Sequence, residues 1–485
     1  MSAPAEDGAH PAYGGDAASL ELPAEVMREL GEAALDALLR RAQGLSEDVP
    51  WRGADRRELE PLLREPPPED GRPPLDVLER ALGDVLAVAG RVDHPRFFAF
   101  VPSSPTWPGV IADFLGAGFN TFQGTWLESA GPSQVELVVL DWFREWVGYP
   151  EGAGGLFTSG GSAASLDALV AAREAAGAPE RPAVFLSDQS HSALERAARI
   201  IGVRPAGIRR VPSDDAFRIR MDDLEAAITG ARREGFVPIA VCANAGATST
   251  GSVDPLEEMA DLCAQEGIWL HVDGAYGGFA VLTEQGRALF RGLERADSIV
   301  LDAHKWLFQP FEAGCLLVRD VRTLERAFRV LPEYLQDTRL GMEHVNFADR
   351  GLQLTRSFRA LKVWMSIQTF GMAAFRAAVG RGMEYAARAG DHVRASKTLE
   401  LLAPPSLGVV CFRVNPGGLG EDALEELNDT VQARVIRSGT AMISSTRLRG
   451  TYALRLCILS HRTTWADVEE TLKAIEGFAD EEAPR

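Results

Sequence analysis

Two short stretches near the middle of the 485-residue chain carry residue types that could do covalent chemistry. Ile268-Trp-Leu-His-Val-Asp273-Gly-Ala275-Tyr-Gly-Gly278 reads as a buried apolar strand that delivers a carboxylate at its carboxyl end and breaks on glycines. Leu301-Asp302-Ala-His304-Lys305-Trp306 follows a second apolar strand, Ala296 to Leu301, and sets an imidazole beside an amine. A lysine amine can form a Schiff base with an aldehyde, and a carboxylate can keep a pyridine nitrogen protonated. That pair is what pyridoxal 5′-phosphate (PLP) chemistry needs. A buried ion pair between ordinary α/β turns would use the same two residues.

The elements that must position this pair begin at Gly155. Leu156 to Thr158 leads through Ser159-Gly160-Gly161-Ser162 into an Ala/Leu helix over 163–175. Glycines and hydroxyls at a helix start leave free N–H groups and a positive dipole end, which suits a phosphate. Such a turn also caps many helices that bind nothing. Ala183 to Ser187 is a predicted strand, and His191 opens the helix over 193–201. Pro238 to Ala243 is another strand, followed by a loop of small residues containing Thr248. Short strands alternating with helices predict an α/β fold with a mainly parallel, doubly covered sheet. Ligand sites in such sheets lie at the carboxyl ends of the strands, where His191, Thr248, Asp273 and Lys305 all fall.

Around this centre the chain changes character. Helical spacing runs from Pro23 to Leu45 and from Leu75 to Val88, with proline breaks between, and no core of its own is evident there. Residues 1–20 are expected to be disordered. Tyr334 to Leu352 is polar and aperiodic, and its length suggests a mobile lid. A long helix is expected from Phe358 to Arg388, interrupted near Gly371. Beyond Pro404, short strands at 408–413, 441–444 and 452–458 with two helices predict a small antiparallel α+β unit. The expected divisions are an N-terminal helical segment (1–106), a large domain (107–388) and a small C-terminal domain (389–485).

A net charge of −19, from 50 basic and 69 acidic residues, disfavours nucleic acid and anionic membranes as partners. No apolar run reaches the ~18 residues of a membrane span, and the first residues lack the basic and apolar regions of a signal peptide. The five cysteines are scattered and odd in number, as expected of core residues in a reduced, cytoplasmic protein. No metal site is expected.

At His94-Pro-Arg-Phe-Phe-Ala-Phe100, Ser187-Asp-Gln-Ser-His191, His271-Val-Asp273-Gly-Ala275, Asp302-Ala-His304-Lys305-Trp306 and Arg356-Ser-Phe-Arg359 the chain resembles the group II PLP-dependent amino-acid decarboxylases, the family of aromatic-L-amino-acid decarboxylase and aromatic aldehyde synthases. The likeness spans roughly residues 75–475. It implies the PLP-dependent transferase fold type I and a homodimer whose N-terminal segment wraps the partner. Lys305 then matches the Schiff-base lysine, Asp273 the partner of the pyridine nitrogen and His191 the imidazole on the ring face. Gly161, Ser162 and His304 match the phosphate site, and Thr248 and Ala275 line the cofactor. Beside a cation, Asp273 is expected to stay ionised.

The resemblance also implies departures. Counting back from Phe358, the loop tyrosine that protonates Cα in amine-forming relatives falls on Phe347. Loss of that hydroxyl could divert the reaction to O₂-dependent oxidative deamination, with an aldehyde as product and O₂ as co-substrate. Plain amine formation, β-elimination on a cysteine-derived substrate (a C–S lyase) and a non-catalytic scaffold remain alternatives. Aromatic walls of the substrate pocket fall on Val92 and Gly124, which would open it to a bulkier amino acid. Phe100, Val101, Pro102 and Ser103 remain as its lining.

Overall fold

The computed structural model describes residues 20–330 and 344–482. The disorder expected before Leu20, and the part of the expected lid that precedes His344, lie outside the described residues.

Helices α1 (Ala24–Gly44), α2 (Arg56–Leu63) and α3 (Pro74–Arg80) open the described chain, and none of their residues is buried. Met27, Leu38, Leu62 and Val77 point their apolar surface outward instead. The helix predicted to run to Val88 is α-helical only to Arg80, widens into a π-helical turn over Ala81–Val85 and closes on a 3-10 turn, Leu86–Val88. Helix α4 (Trp107–Gly118) is capped by Thr106, whose Oγ1 accepts the Gly109 N–H, and α5 (Ala130–Trp146) follows.

The large sheet is then laid down in alternation. Strand β1 (Gly154–Thr158) precedes α6 (Gly161–Ala175), and β2 (Pro182–Ser187) precedes α7 (Ser192–Ile200). Next come β3 (Ile208–Val211), α8 (Met221–Arg233), β4 (Val237–Asn244) and α9 (Leu256–Glu266). Strand β5 (Trp269–Asp273), α10 (Glu284–Leu289), β6 (Ser298–Asp302), the single turn α11 (Ala303–Trp306), β7 (Gly314–Val318) and α12 (Arg322–Phe328) complete it. The strand order is β1-β7-β6-β5-β4-β2-β3. Only β7 runs against its neighbours β1 and β6. Strands β2, β6 and β7 are buried at every residue, which is why they read as unbroken apolar runs.

Helix α13 (Ala360–Ala395) crosses to the small domain. Its break falls on Gly371, at φ 72°, a left-handed conformation that glycine adopts without steric cost. Strands β8 (Leu399–Leu401) and β9 (Val409–Val414), helix α14 (Glu421–Arg437), strands β10 (Ser444–Leu448) and β11 (Thr451–Cys457) and helix α15 (Trp465–Glu482) form an antiparallel sheet, order β10-β11-β9-β8, with its own apolar core. Extended residues Phe97 and Phe98 tie the N-terminal segment to this sheet: the Phe98 N–H donates to Met442 O (2.7 Å) and the Cys457 N–H to Phe98 O (2.9 Å).

The α/β class, the mainly parallel large sheet and the small α+β unit are as expected. Strands β3 and β8 and helix α8 were not predicted, and the strand expected at 441–444 begins only at Ser444. All five cysteines are buried free thiols. Among the described residues no helix is long and apolar enough to cross a membrane.

Candidate active site

Adjacent parallel strands β4, β5 and β6 end on polar residues, Asn244, Asp273 and Asp302, at one edge of the sheet. The amino ends of α6 and α7 meet the same edge. A cavity of about 630 Å³ opens there, and it brings together Gly161, Ser162, His191, Thr248, Asp273, Ala275, His304 and Lys305. Every residue the sequence assigned to a cofactor is therefore in one place.

Lys305 sits on α11, one short turn beyond β6, and its Nζ lies 2.8 Å from Oδ2 of Asp302. Burial alone would lower the Lys305 amine, but the charge and hydrogen bond of Asp302, with Asp273 behind them, outweigh it and hold the amine above its ordinary value. Asp273 accepts the Ala275 N–H on Oδ1 at 3.1 Å. Burial pushes its carboxyl up, against the opposing charge of Lys305 and the hydrogen bond from Ala275. The expectation that a neighbouring cation governs this carboxylate captures only half of the balance, since desolvation is the larger effect.

His191 caps α7 through Nδ1, which accepts the Ala193 N–H at 3.2 Å. With Nδ1 accepting, the ring N–H lies on Nε2. His304 accepts the Ala313 N–H on Nδ1 at 3.1 Å, and its Nε2 is 3.6 Å from Asp302 Oδ2. Burial depresses its pKa, so His304 is a neutral Nε2–H donor.

Gly161 opens α6, where the first N–H groups have no partner within the helix. A Cβ at Gly161 would come within 2.9 Å of Ala275 Cβ and 3.1 Å of Asp302 Oδ2. Glycine thus leaves the helix terminus bare towards the cavity, as a phosphate requires.

The expected substrate residues divide. Phe100 and Val101 line the cavity. Pro102 and Ser103 are buried behind them, and Ser103 Oγ donates to His304 O and Gln309 O. Val92 and Gly124 do not reach the cavity within this chain. Gly124 O accepts the Ala348 N–H at 3.0 Å, and a Cβ there would lie 2.4 Å from the Phe122 ring and 2.7 Å from Leu354 O. Phe347 does not reach it either: it is fully buried in a short turn, Phe347–Asp349, against the guanidinium groups of Arg350 and Arg356.

Sequence reasoning missed Asn244, Tyr276, Phe311 and Glu312 as cavity residues, and gave Asp302 no role. Asn244 and Asp302 end apolar strands at the edge that carries Asp273, and that signal could have found them. Phe311 and Glu312 lie on the connection into the reversed strand β7, which no local pattern announces.

Residues 58–415 match the pyridoxal-dependent decarboxylase conserved domain. The chain is 40% identical over 467 residues to an aromatic-L-amino-acid decarboxylase of Bacillus atrophaeus, covering 96% of this chain and 97% of that one. It is 29% identical to a phenylacetaldehyde synthase of Petunia hybrida, over 87% and 88% of the two chains. Oryza sativa TDC, solved with PLP and tryptamine, superposes with a TM-score of 0.91 at 29% identity, covering 96% of this chain and 99% of that one.

The residues present fit PLP. The bare α6 terminus with Ser162 and the Nε2–H of His304 suit its phosphate, the buried Asp273 carboxylate suits its ring nitrogen, and Lys305 is the amine for its aldehyde. On its matched domain, its relatives and this donor set, the chain belongs to the pyridoxal-dependent decarboxylase family and is a PLP-dependent enzyme.

Proposed function

We propose that the protein removes the α-carboxylate of an aromatic L-amino acid and releases the amine and CO₂. The observation that carries this reading is the mouth of the cavity. Phe100 and Phe311 are 66% and 58% exposed there, above a polar floor of Lys305, Asp273 and His191. Two open aromatic faces suit a planar apolar side chain, and stacking pairs of this kind contribute about 0.5–1.5 kcal/mol beyond area burial. The relative at 40% identity carries an aromatic amino-acid name, which agrees.

Bound PLP supplies an electron sink for the pair left on Cα when the carboxylate departs. The chain supplies the rest. Lys305 would be the amine that holds the cofactor's aldehyde. Asp273 would face the cofactor's ring nitrogen and hold a proton there. His191 presents Nε2–H to the cavity, the atom from which a proton can be held or passed at Cα.

The aldehyde-forming reading rests on Phe347 facing the reaction, and its burial beside Arg356 takes away that support. Between Tyr276 and Tyr385 the sequence has one phenol, Tyr334, outside the described residues. The homodimer belongs to the same proposal: α1–α3 bury no residue against their own chain, and Phe114 and Phe119 stand 71% and 79% exposed. Light scattering of the purified protein tests it.

The deciding experiment follows CO₂, amine, aldehyde, ammonia and peroxide from the holoenzyme over phenylalanine, tyrosine, tryptophan and cysteine, in air and under argon. One amine per CO₂, unchanged by oxygen, is expected. One peroxide and one aldehyde per CO₂ would replace this reading with oxidative deamination, and sulfide from cysteine without CO₂ would replace it with β-elimination.

A further inference from the structure

Phe100, whose exposed ring stands at the mouth of the cavity, has a left-handed backbone, with φ at 51°. A residue with a Cβ adopts that conformation only where its surroundings impose it. The reason for it lies two residues earlier. Phe97 and Phe98 run extended against the small domain, and Phe98 is buried in that domain's apolar core. Alternate residues of an extended segment face the same way, so an extended Phe100 would follow Phe98 into the small domain. The positive φ breaks the alternation and turns the ring out to the cavity instead.

Two side chains of the small domain hold that turn from either side. Ser444, at the start of β10, accepts the Phe100 N–H on Oγ at 3.2 Å. Arg455 of β11, 3% exposed, donates from Nη1 to Phe100 O. Arg455 also donates from Nε to Ser249 O at 3.2 Å, and Ser249 adjoins Thr248 of the cavity wall. Thr446 of β10 meets the same serine, with the two hydroxyls 3.2 Å apart. One planar guanidinium thus ties the Phe100 wall to the Thr248 loop, a fixed fork that the point charge of a lysine does not reproduce.

We propose that Ser444 and Arg455 are positioning residues that set substrate preference: they lock Phe100 in its left-handed conformation so that its ring serves as an aromatic wall. The inference rests on the aromatic amino-acid reading above and names what holds that wall in place. Neither residue lines the cavity, so each acts through Phe100. A ring fixed beforehand spends none of the substrate's binding energy on its own ordering. It meets the substrate side chain in the ground state and the transition state alike, so releasing it raises KM and leaves kcat in place.

The test is a pair of double-mutant cycles on the holoenzyme at saturating PLP. Ser444→Ala and Arg455→Lys are each made in wild type and in Phe100→Ala, and kcat and KM are measured over phenylalanine, tyrosine, tryptophan and non-aromatic amino acids. With the Phe100 ring present, each substitution should raise KM for an aromatic substrate about two- to twelvefold, the worth of one stacking contact, with kcat little changed. In Phe100→Ala the same substitutions should leave KM where it is. Unchanged KM in both variants, a fall in kcat alone, or equal effects with and without the ring would overturn the proposal. Ser444→Ala removes one hydroxyl and carries the test by itself should Arg455→Lys not fold. If wild type turns over only non-aromatic amino acids, the aromatic reading fails, and the same cycles on the best of those substrates still decide whether the two residues act through Phe100.

Discussion

The guanidinium of Arg356 lies 4.9 Å from the ring centroid of Phe347, and both side chains are fully buried. A position that sequence counting assigns to a reacting loop is instead part of the wall between α5 and the large sheet. Placing a hydroxyl on that ring by Phe347→Tyr should leave the ratio of amine to aldehyde unchanged. It should lower stability by about 1–3 kcal/mol if the new O–H finds no acceptor. Urea unfolding and product analysis check the two halves, and Tyr334→Phe in the same assay tests the one phenol of that segment for an effect on the product.

Arg356 also pairs with Glu136 at 2.6 Å and donates to Gln123 O and Phe157 O, with neither partner of the ion pair exposed. Glu136→Gln leaves a buried guanidinium without its counter-charge. A loss of about 3–5 kcal/mol is expected, read by denaturant unfolding. An effect below about 1 kcal/mol would mean that the carbonyl acceptors alone satisfy Arg356.

Asp167 of α6 sits under Gly351, and burial pushes its carboxyl up to about 7, with the Leu352 N–H and Arg356 opposing. The folded chain therefore holds this proton more tightly than the unfolded chain. The resulting stability is present below the ordinary carboxylate range and is lost as pH rises from about 4 to about 7, an upper bound of about 4 kcal/mol. Asp167→Asn, with no charge to bury, should be the more stable protein at pH 8 and should lose this advantage at pH 4. Thermal unfolding across that range measures the crossing.

Gly161→Ala fills the space between Ala275 and Asp302. PLP affinity is expected to fall at least about tenfold, which corresponds to about 1.4 kcal/mol, and the 2.9 Å approach to Ala275 Cβ is expected to lower the stability of the cofactor-free protein as well. Equilibrium dialysis against PLP and unfolding of the stripped enzyme separate the two effects.

Much of this site was legible because strand ends announce themselves. An apolar run that stops on Asp273, or on Asp302 before a lysine, marks the edge of a parallel sheet without knowledge of the strand order. A glycine pair before an Ala-rich helix marks an open helix terminus in the same way. Phe347 was not legible, because counting from Phe358 gives an offset along the chain and not a direction. The two arginines that hold it inward, Arg350 and Arg356, come from an irregular segment with no periodicity. Strand β3, Ile208–Val211, was missed because two of its four residues are arginines on a sheet edge. Gly124 reads as an opened wall only until its surroundings show Phe122 and Leu354 already in that space.

The reversed strand β7 bears on how the protein comes to be folded. Lys305 lies on the connection of an antiparallel pair, with Asp302 facing Gly314, whereas β1 reaches the same strand from far upstream, with Thr158 facing Gly314 on the other side. Contacts close along the chain cost little loop entropy and form early, and distant ones come late. The hairpin that houses the lysine should therefore gain amide protection before the sheet closes on its β1 side, which pulsed hydrogen exchange during refolding would reveal. The chemical centre would then be built as a local unit, and the long-range pairing that seals it would be the slow step of maturation.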